Sequence, residues 1–296
     1  MIMEPKVPER WKAVVGPTGS AFGCPREFFG NRFVYTVVSP CAGGLSIGVN
    51  MNPDKHCNFD CEYCEVNRLL PSHDRSLETE VMAVELQQTL EMAFSGELQN
   101  FSMYRDAPED LLNLRHVALS GDGEPTLCPN FLEAVRAVVH VRALGRFPFF
   151  KVVLLTNAIG LDLRDVQDGL KLLTPQDEIW AKLDAGTQAY MDRVNRPNCP
   201  MEKVLENILL TARQRPVVIQ SLFLSLNHEE PTAGEIERYA ERLRDLKNAG
   251  AQISLVQIYS ATRPMAHSQC DHLPLKTLAR IARRVREVSG LPAEVF

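Results

Sequence analysis

The chain has 296 residues, a formal net charge of −5, and is 45% hydrophobic and 23% charged. That balance excludes a disordered chain, which lacks the apolar surface to offset its entropy, and it argues against general nucleic-acid binding while leaving room for a local basic patch. A chain this long buries roughly three quarters of its unfolded surface, so its eight cysteines are not needed as disulfide staples.

Residues 1–12 lack the apolar core of a signal peptide. The most apolar stretch, 147–156, is interrupted by Lys151 and is far shorter than the ~20 residues of a membrane span. The expected compartment is therefore the cytoplasm, with no membrane partner. In a reducing compartment, clustered cysteines read as metal ligands or catalytic groups.

Residues 1–44, rich in Gly and Pro, read as an N-terminal extension packed across the core, with a short strand near 32–38. Residues 45–296 read as one domain. In it, β-branched runs at 45–51, 116–120, 152–156, 178–184, 217–224 and 253–259 predict strands. Helical periodicity predicts helices near 76–95, 129–143, 164–173, 201–214, 232–249 and 275–289. In the first helix, Leu86, Leu90, Ala93 and Phe94 share a face. Pro231 and Thr232 open the fifth and Gly250 closes it. Six strand–helix units in series predict parallel strands with right-handed crossovers. Six units are too few for a closed eight-unit barrel, which leaves an open partial barrel or a doubly wound sheet. Both place the site at the C-terminal ends of the strands.

The residues at those ends are chemically rich. The first strand leads into His56-Cys57-Asn58-Phe59-Asp60-Cys61-Glu62-Tyr63-Cys64, and the second into Gly121-Asp122-Gly123-Glu124-Pro125-Thr126. The third ends at Asn157, the fourth carries Lys182 and Asp184, the fifth leads to Ser225 and the sixth to Tyr259 and Arg263. Chance would scatter such residues over both ends of a sheet. Three soft thiols on one tight loop suit iron–sulfur, zinc or copper(I). His56 or His73 could complete a four-ligand zinc site, whereas a three-thiolate iron–sulfur cluster leaves one iron open. Scattered, buried, unmetallated cysteines do not show this spacing.

The C-x3-C-x2-C spacing, with Tyr63 before the last cysteine, resembles the radical S-adenosylmethionine (SAM) superfamily, and the resemblance extends over about residues 45–265. It implies an open partial (β/α)6 barrel with parallel strands. It also implies a 4Fe–4S cluster on Cys57, Cys61 and Cys64, whose open iron binds SAM. One electron, from an external donor such as flavodoxin or ferredoxin, then yields a 5′-deoxyadenosyl radical that abstracts hydrogen from a substrate. Gly121, Asp122, Gly123 and Glu124 resemble the element that carries the SAM amino group, since glycines admit a close ligand and an acid pairs with an ammonium. By the same resemblance, Tyr63, Asn157, Lys182, Asp184, Ser225 and Tyr259 are expected around SAM, and Ser221 within reach of it. A Lys182–Asp184 pair at the sheet end is the plainer alternative, because at period two these residues share a face.

Asp184-Ala185-Gly186 and Arg193-Val194-Asn195-Arg196-Pro197, with the later Arg263-Pro264, resemble a subgroup that includes wyosine-base synthases, which act on transfer RNA. Those enzymes carry three further upstream cysteines. Here only Cys24 and Cys41 precede the motif, so the wyosine reaction does not transfer. Arg193, Asn195, Arg196 and Arg263 are expected to touch an anionic or nucleotide-like small substrate, because arginine grips carboxylates and phosphates. RNA is admitted through two basic stretches, Arg136 to Lys151 and Arg280 to Arg286, although a solvated face balanced by acids explains both. The competing readings are an activating enzyme acting on a protein partner and a non-enzymatic iron–sulfur or zinc module.

Overall fold

In a computed structural model, which describes residues 26–39, 41–68, 70, 72, 74–261 and 270–296, the chain forms a mixed α/β fold. An eight-stranded sheet has the order β1-β2-β3-β4-β5-β6-β8-β10. Its strands are β1 (Val34–Ser39), β2 (Gly44–Asn50), β3 (Leu114–Ser120), β4 (Val152–Thr156), β5 (Glu178–Lys182), β6 (Val217–Leu222), β8 (Ile253–Tyr259) and β10 (Ala293–Val295). Only β1 is antiparallel to its neighbour; every other pair is parallel. A separate ribbon pairs β7 (Leu224–Leu226) with β9 (Cys270–His272).

The helices are α1 (Thr79–Ser95), α2 (Phe131–Ala143), α3 (Arg164–Leu170), α4 (Gln188–Val194), α5 (Met201–Ala212), α6 (Ala233–Asn248) and α7 (Leu275–Ser289). The six expected strands and six expected helices are all present. Four of the elements named above are additional: α4, β7, β9 and β10. The seven-residue α4 is too short to show a periodicity, and β10 has only three residues. The run expected at 217–224 breaks after Leu222, and Leu224–Leu226 pairs with a strand distant in sequence. The extension contributes β1 directly to the sheet, in register with β2 from Val34↔Val49 to Ser39↔Gly44.

Period-two alternation divides the sheet into two faces. Ile47, Val49, Val117, Leu119, Ile179, Ala181, Ile219 and Ile258 join the core under the helices. Their alternates Ser46, His116, Ala118, Ser120, Trp180, Lys182, Gln220 and Tyr259 line a cavity of about 730 Å³. The lining runs from Tyr35 on β1 to Phe296 after β10, so the sheet curves around this space.

Two residues of each basic stretch pair with acids within the protein. Arg142 pairs with buried Asp177 at 2.6 Å and Lys151 with Glu178 at 2.7 Å. Arg280 pairs with Glu230 and Arg284 with Glu237 across α7 and α6. No helix among the described residues is long and apolar enough to cross a membrane.

The segment after β5 is fixed by α6. Thr232 caps this helix, accepting from Glu235 N at 3.1 Å. Glu235 then accepts from Gly186 N at 2.5 Å and from Thr187 Oγ1 at 2.6 Å. Gly186 lies so close to α6 that a Cβ there would meet Tyr239 N at 2.1 Å. Gly186→Ala is therefore expected to overpack this junction and lower stability by about 1–3 kcal/mol, read as a reduced midpoint in urea denaturation.

Candidate active site

The cysteine loop follows β2 and is strapped from several sides. Cys64 N donates to Cys61 O at 3.0 Å and closes the turn. Lys55 Nζ donates to the carbonyls of Asn67 and Leu70 at 2.8 and 2.9 Å, joining the two ends of the loop. Arg68 donates to Phe59 O at 2.9 Å. The segment after α4 forms a bed for the loop: Asp60 N and Glu62 N donate to the carbonyls of Asn195 and Val194, and Phe59 bridges to Pro197. Arg196, in the left-handed region at φ 44°, salt-bridges Asp60 and Glu62.

Cys57, Cys61 and Cys64 all line the cavity. Burial pushes the Cys61 thiol up to about 12, with Asp184 adding to the effect and an Asn195 hydrogen bond opposing it. Burial also raises Cys57. A soft cation must displace these protons to bind.

The glycine-rich element packs tightly against the cysteine loop and the end of β2. A Cβ on Gly123 would meet the carbonyl oxygen of His56 at 1.9 Å, and one on Gly121 (φ 139°) would meet Asn50 Oδ1 at 2.3 Å. These glycines thus admit the cysteine loop and the end of β2. Glu124 N donates to His56 O at 3.0 Å. The Glu124 carboxylate accepts from Thr126 Oγ1, Thr156 Oγ1 and Asn157 N at 2.6, 2.5 and 2.7 Å. It lines the cavity but is engaged by protein donors, so it clamps the turns after β3 and β4. Burial nevertheless raises its pKa. Asp122 accepts from Asn50 Nδ2 at 2.9 Å and salt-bridges Arg26, whose guanidinium lies 4.9 Å from the Tyr35 ring centroid.

Opposite them, the end of β5 holds a tight polar knot. Asp184 accepts from Asn195 Nδ2 and Leu222 N, both at 2.8 Å, and from the Tyr63 hydroxyl. Asn195 Nδ2 also lies 3.1 Å from Tyr63 OH and 3.6 Å from Cys61 Sγ. Lys182 Nζ donates to Tyr259 OH at 2.8 Å, stands 3.8 Å from Asp184, and lies 5.0 and 5.3 Å from the ring centroids of Tyr63 and Tyr259. Burial alone would lower the Lys182 pKa; Asp184 and Tyr259 outweigh it and hold the ammonium above its ordinary value.

The cavity thus brings together the three cysteines, Tyr63, Gly121, Asp122, Gly123, Glu124, Asn157, Lys182, Asp184 and Tyr259. Other expected residues stand elsewhere. Ser225 lies on β7, outside the lining, and Ser221 Oγ donates to Leu183 O at 2.6 Å. Arg193 faces Glu229 at 3.8 Å on the surface, and Arg196 braces the loop from outside the cavity. Of the expected substrate contacts among the described residues, Asn195 lines the cavity, with its amide engaged in the knot, and Arg193 and Arg196 do not. Cys24, His73 and Arg263 lie outside the described residues. Lining residues that the sequence does not single out include Arg26, His116, Trp180 and Gln220. The strand alternation that places three of them inward is the signal that finds them.

The donor set fits an iron–sulfur cluster. Three thiols open into one space, and Arg68 and Lys182 are close enough to favour the thiolates of Cys57 and Cys61. Among the described residues, no three His, Cys, Asp or Glu side chains converge on a single-ion site. Asn195→Ala is expected to leave buried Asp184 short of a donor and to cost about 1–3 kcal/mol in denaturant unfolding. It should also slow alkylation of Cys61 in metal-free protein, because the hydrogen bond that favours the thiolate is gone.

The sequence model of the Radical SAM superfamily matches residues 51–243. The chain is 28% identical over 218 residues to a UPF0026 protein of Helicobacter pylori strain J99, spanning 72% of this chain and 62% of that protein. It is 28% identical over 182 residues to the UPF0026 protein slr1464 of Synechocystis sp., spanning 60% and 56%. The matched region is thus less than two thirds of the length of either relative. The fold is similar to that of a radical SAM methyltransferase from Sphaerobacter thermophilus, with a TM-score of 0.62 and 15% identity over 93% of this chain and 72% of that one. It is also similar to TYW1 with a lysine-pyruvate adduct bound, with a TM-score of 0.53 and 15% identity over 87% and 84%. At such identities the two structures speak for the fold alone. The family match takes in the cysteine loop, the glycine-rich element and the β5 knot, and with them the chain belongs to the Radical SAM superfamily.

Proposed function

We propose that this chain is an enzyme that cleaves SAM reductively at a 4Fe–4S cluster and abstracts hydrogen from a substrate held in the cavity. The observation that carries the reading is the convergence of Cys57, Cys61 and Cys64 on one cavity at the C-terminal ends of a parallel sheet, read here as an open partial (β/α)6 barrel. When bound, the cluster supplies the electron that cleaves SAM to the 5′-deoxyadenosyl radical. All other work falls to the protein: binding, orientation and exclusion of side reactions.

In this reading the three cysteines hold the cluster, and Asn195 is a positioning residue that orients Cys61 through its sulfur contact. Asp122 and the backbone of Gly121 to Gly123 meet the SAM amino group. The Lys182 ammonium, kept charged by Asp184, meets the SAM carboxylate. Tyr63, Asn157 and Tyr259 shape the remaining wall. The electron comes from an external donor of the flavodoxin or ferredoxin kind. A small-molecule substrate is favoured over RNA, because Arg142, Lys151, Arg280 and Arg284 of the basic stretches pair with acids within the protein and Arg193 and Arg196 stand outside the cavity lining.

Two experiments test this. Protein reconstituted anaerobically with iron and sulfide is expected to bind a cluster and, with SAM and dithionite, to form 5′-deoxyadenosine. Cys57→Ala, Cys61→Ala and Cys64→Ala should each lose bound iron and reduce the product to background. Full activity in Cys61→Ala overturns the reading. Lys182→Met is expected to weaken equilibrium binding of labelled SAM by about tenfold or more, as loss of a charge-assisted contact predicts. Unchanged affinity removes Lys182 from the SAM site.

A further inference from the structure

The cavity has a charge gradient. All its charged lining residues, Arg26, Arg68 and Lys182 together with Glu65, Asp122, Glu124 and Asp184, stand at or beyond the C-terminal ends of the strands or against them. Deeper in, the wall is uncharged. His116 precedes Ser120 by four residues on β3, so it lies about 13 Å further along the strand. Ser46 is its register partner on β2. Gln220 and Trp180 complete the wall, above an apolar floor where Cys41 and Leu155 pack with Val153 and Val218.

The polar groups in this chamber are unusual. His116 is only 3% exposed and lines the cavity, yet its imidazole has no hydrogen bond among the described residues. The Trp180 ring stands edge-on to it, 5.3 Å between centroids. Burial, with Lys151 contributing, lowers its pKa to about 3, so the ring is neutral and offers one donor and one acceptor. The buried Ser46 hydroxyl likewise has no side-chain partner among the described residues and can give or accept. Trp180 donates its Nε1–H to Glu178 at 2.8 Å, which leaves only its carbon surface for the chamber. Gln220 is held by Gln257 at 3.2 Å and Tyr259 at 3.4 Å.

We infer that this chamber is a substrate subsite for an uncharged planar group of amide or lactam type, read by His116 and Ser46 and packed against Trp180. Its identification with substrate rests on the activity proposed above. An anionic group would be stripped of water, and Lys151, the cation whose field reaches His116, is already paired with Glu178. A purely apolar group would leave a buried imidazole and hydroxyl unpaired. An amide edge satisfies both, and its flat face matches the indole.

The test uses full-length, cluster-reconstituted protein and two isosteric probes, labelled benzamide and labelled benzoate, in equilibrium dialysis. Benzamide is expected to bind saturably at one site, at least about tenfold more tightly than benzoate, and to persist with saturating SAM present. His116→Ala should weaken benzamide about tenfold, the worth of one hydrogen bond of 1.4 kcal/mol, and His116→Gln, which keeps a donor and an acceptor, should restore part of the loss. Benzoate binding as tightly as benzamide, displacement of benzamide by SAM, or undiminished benzamide affinity in His116→Ala overturns the assignment. The benzamide-to-benzoate ratio in unaltered protein decides the matter even if His116→Ala does not fold. Selective benzamide binding by protein that forms no 5′-deoxyadenosine overturns the proposed activity alone. 5′-Deoxyadenosine formation without selective benzamide binding overturns the chamber alone.

Discussion

A carboxylate buried as deeply as Asp184 is tolerable only because donors meet it from several elements at once. Leu222 N comes from β6, Asn195 from the end of α4 and Tyr63 from the cysteine loop, while the Lys182 ammonium stands 3.8 Å away. Removing one partner of a buried ionic set costs far more than an exposed pair contributes. The arrangement therefore acts as a register pin. With Asp184 satisfied, the end of β5, the end of β6, the α4 segment and the cysteine loop have one mutual placement. The position of Cys61 follows from it, since the Asn195 amide that reaches Asp184 also reaches the sulfur.

Glu124 does the same on the opposite side. Its oxygens collect donors from the turns after β3 and β4, and its own N–H holds the carbonyl of His56 just ahead of Cys57. The cysteine loop is thus clasped between two buried carboxylates on different strands. Gly123 makes the second clasp sterically feasible, because any side chain there collides with the His56 carbonyl. The 18 residues from Met51 to Arg68 that follow β2 would otherwise have considerable entropy. Rigidity before ligation matters because a preorganised donor set loses less freedom when it binds.

The strand–helix series was legible because each unit is long and punctuated: Val152–Thr156 and Ile253–Tyr259 fall on the expected residues, and Thr232 and Gly250 bound α6 as the sequence suggests. The chemistry of the cysteine loop was legible because its spacing is local. What the sequence hid is non-local. Arg193 to Pro197 reads as a substrate-binding phrase, but its Asn195 and Arg196 hold the cysteine loop 134 residues away, a relation that only the packing of α4 creates. Likewise the close approach of the glycines after β3 to the His56 carbonyl and the end of β2 is invisible in their spacing. His116 and Trp180 lie within strands read for their apolar content. Their inward side is fixed by period two, but a cavity rather than a second packed layer on that side is a property of the curved sheet.

The same curvature explains the distribution of charge. At the mouth, cations and anions occur in pairs, Arg26 with Asp122 and Lys182 with Asp184, and Arg26, Asp122 and Lys182 keep part of their side chains exposed. Such pairs suit a zwitterion, whose ammonium and carboxylate can each join a pair without leaving a charge unmatched. Below them the strands converge on side chains with no formal charge, closed by an apolar floor, where a bare ion would find low dielectric and no counter-ion in the lining. A molecule that presents both kinds of surface is sorted along this axis by solvation alone. Charged groups stay among the paired side chains beside the cysteine loop, and neutral groups descend toward His116. Under the proposed chemistry, that ordering stacks cofactor above substrate in one cavity, and only the boundary between the two regions, around Lys182 and Ala118, needs to admit contact between them.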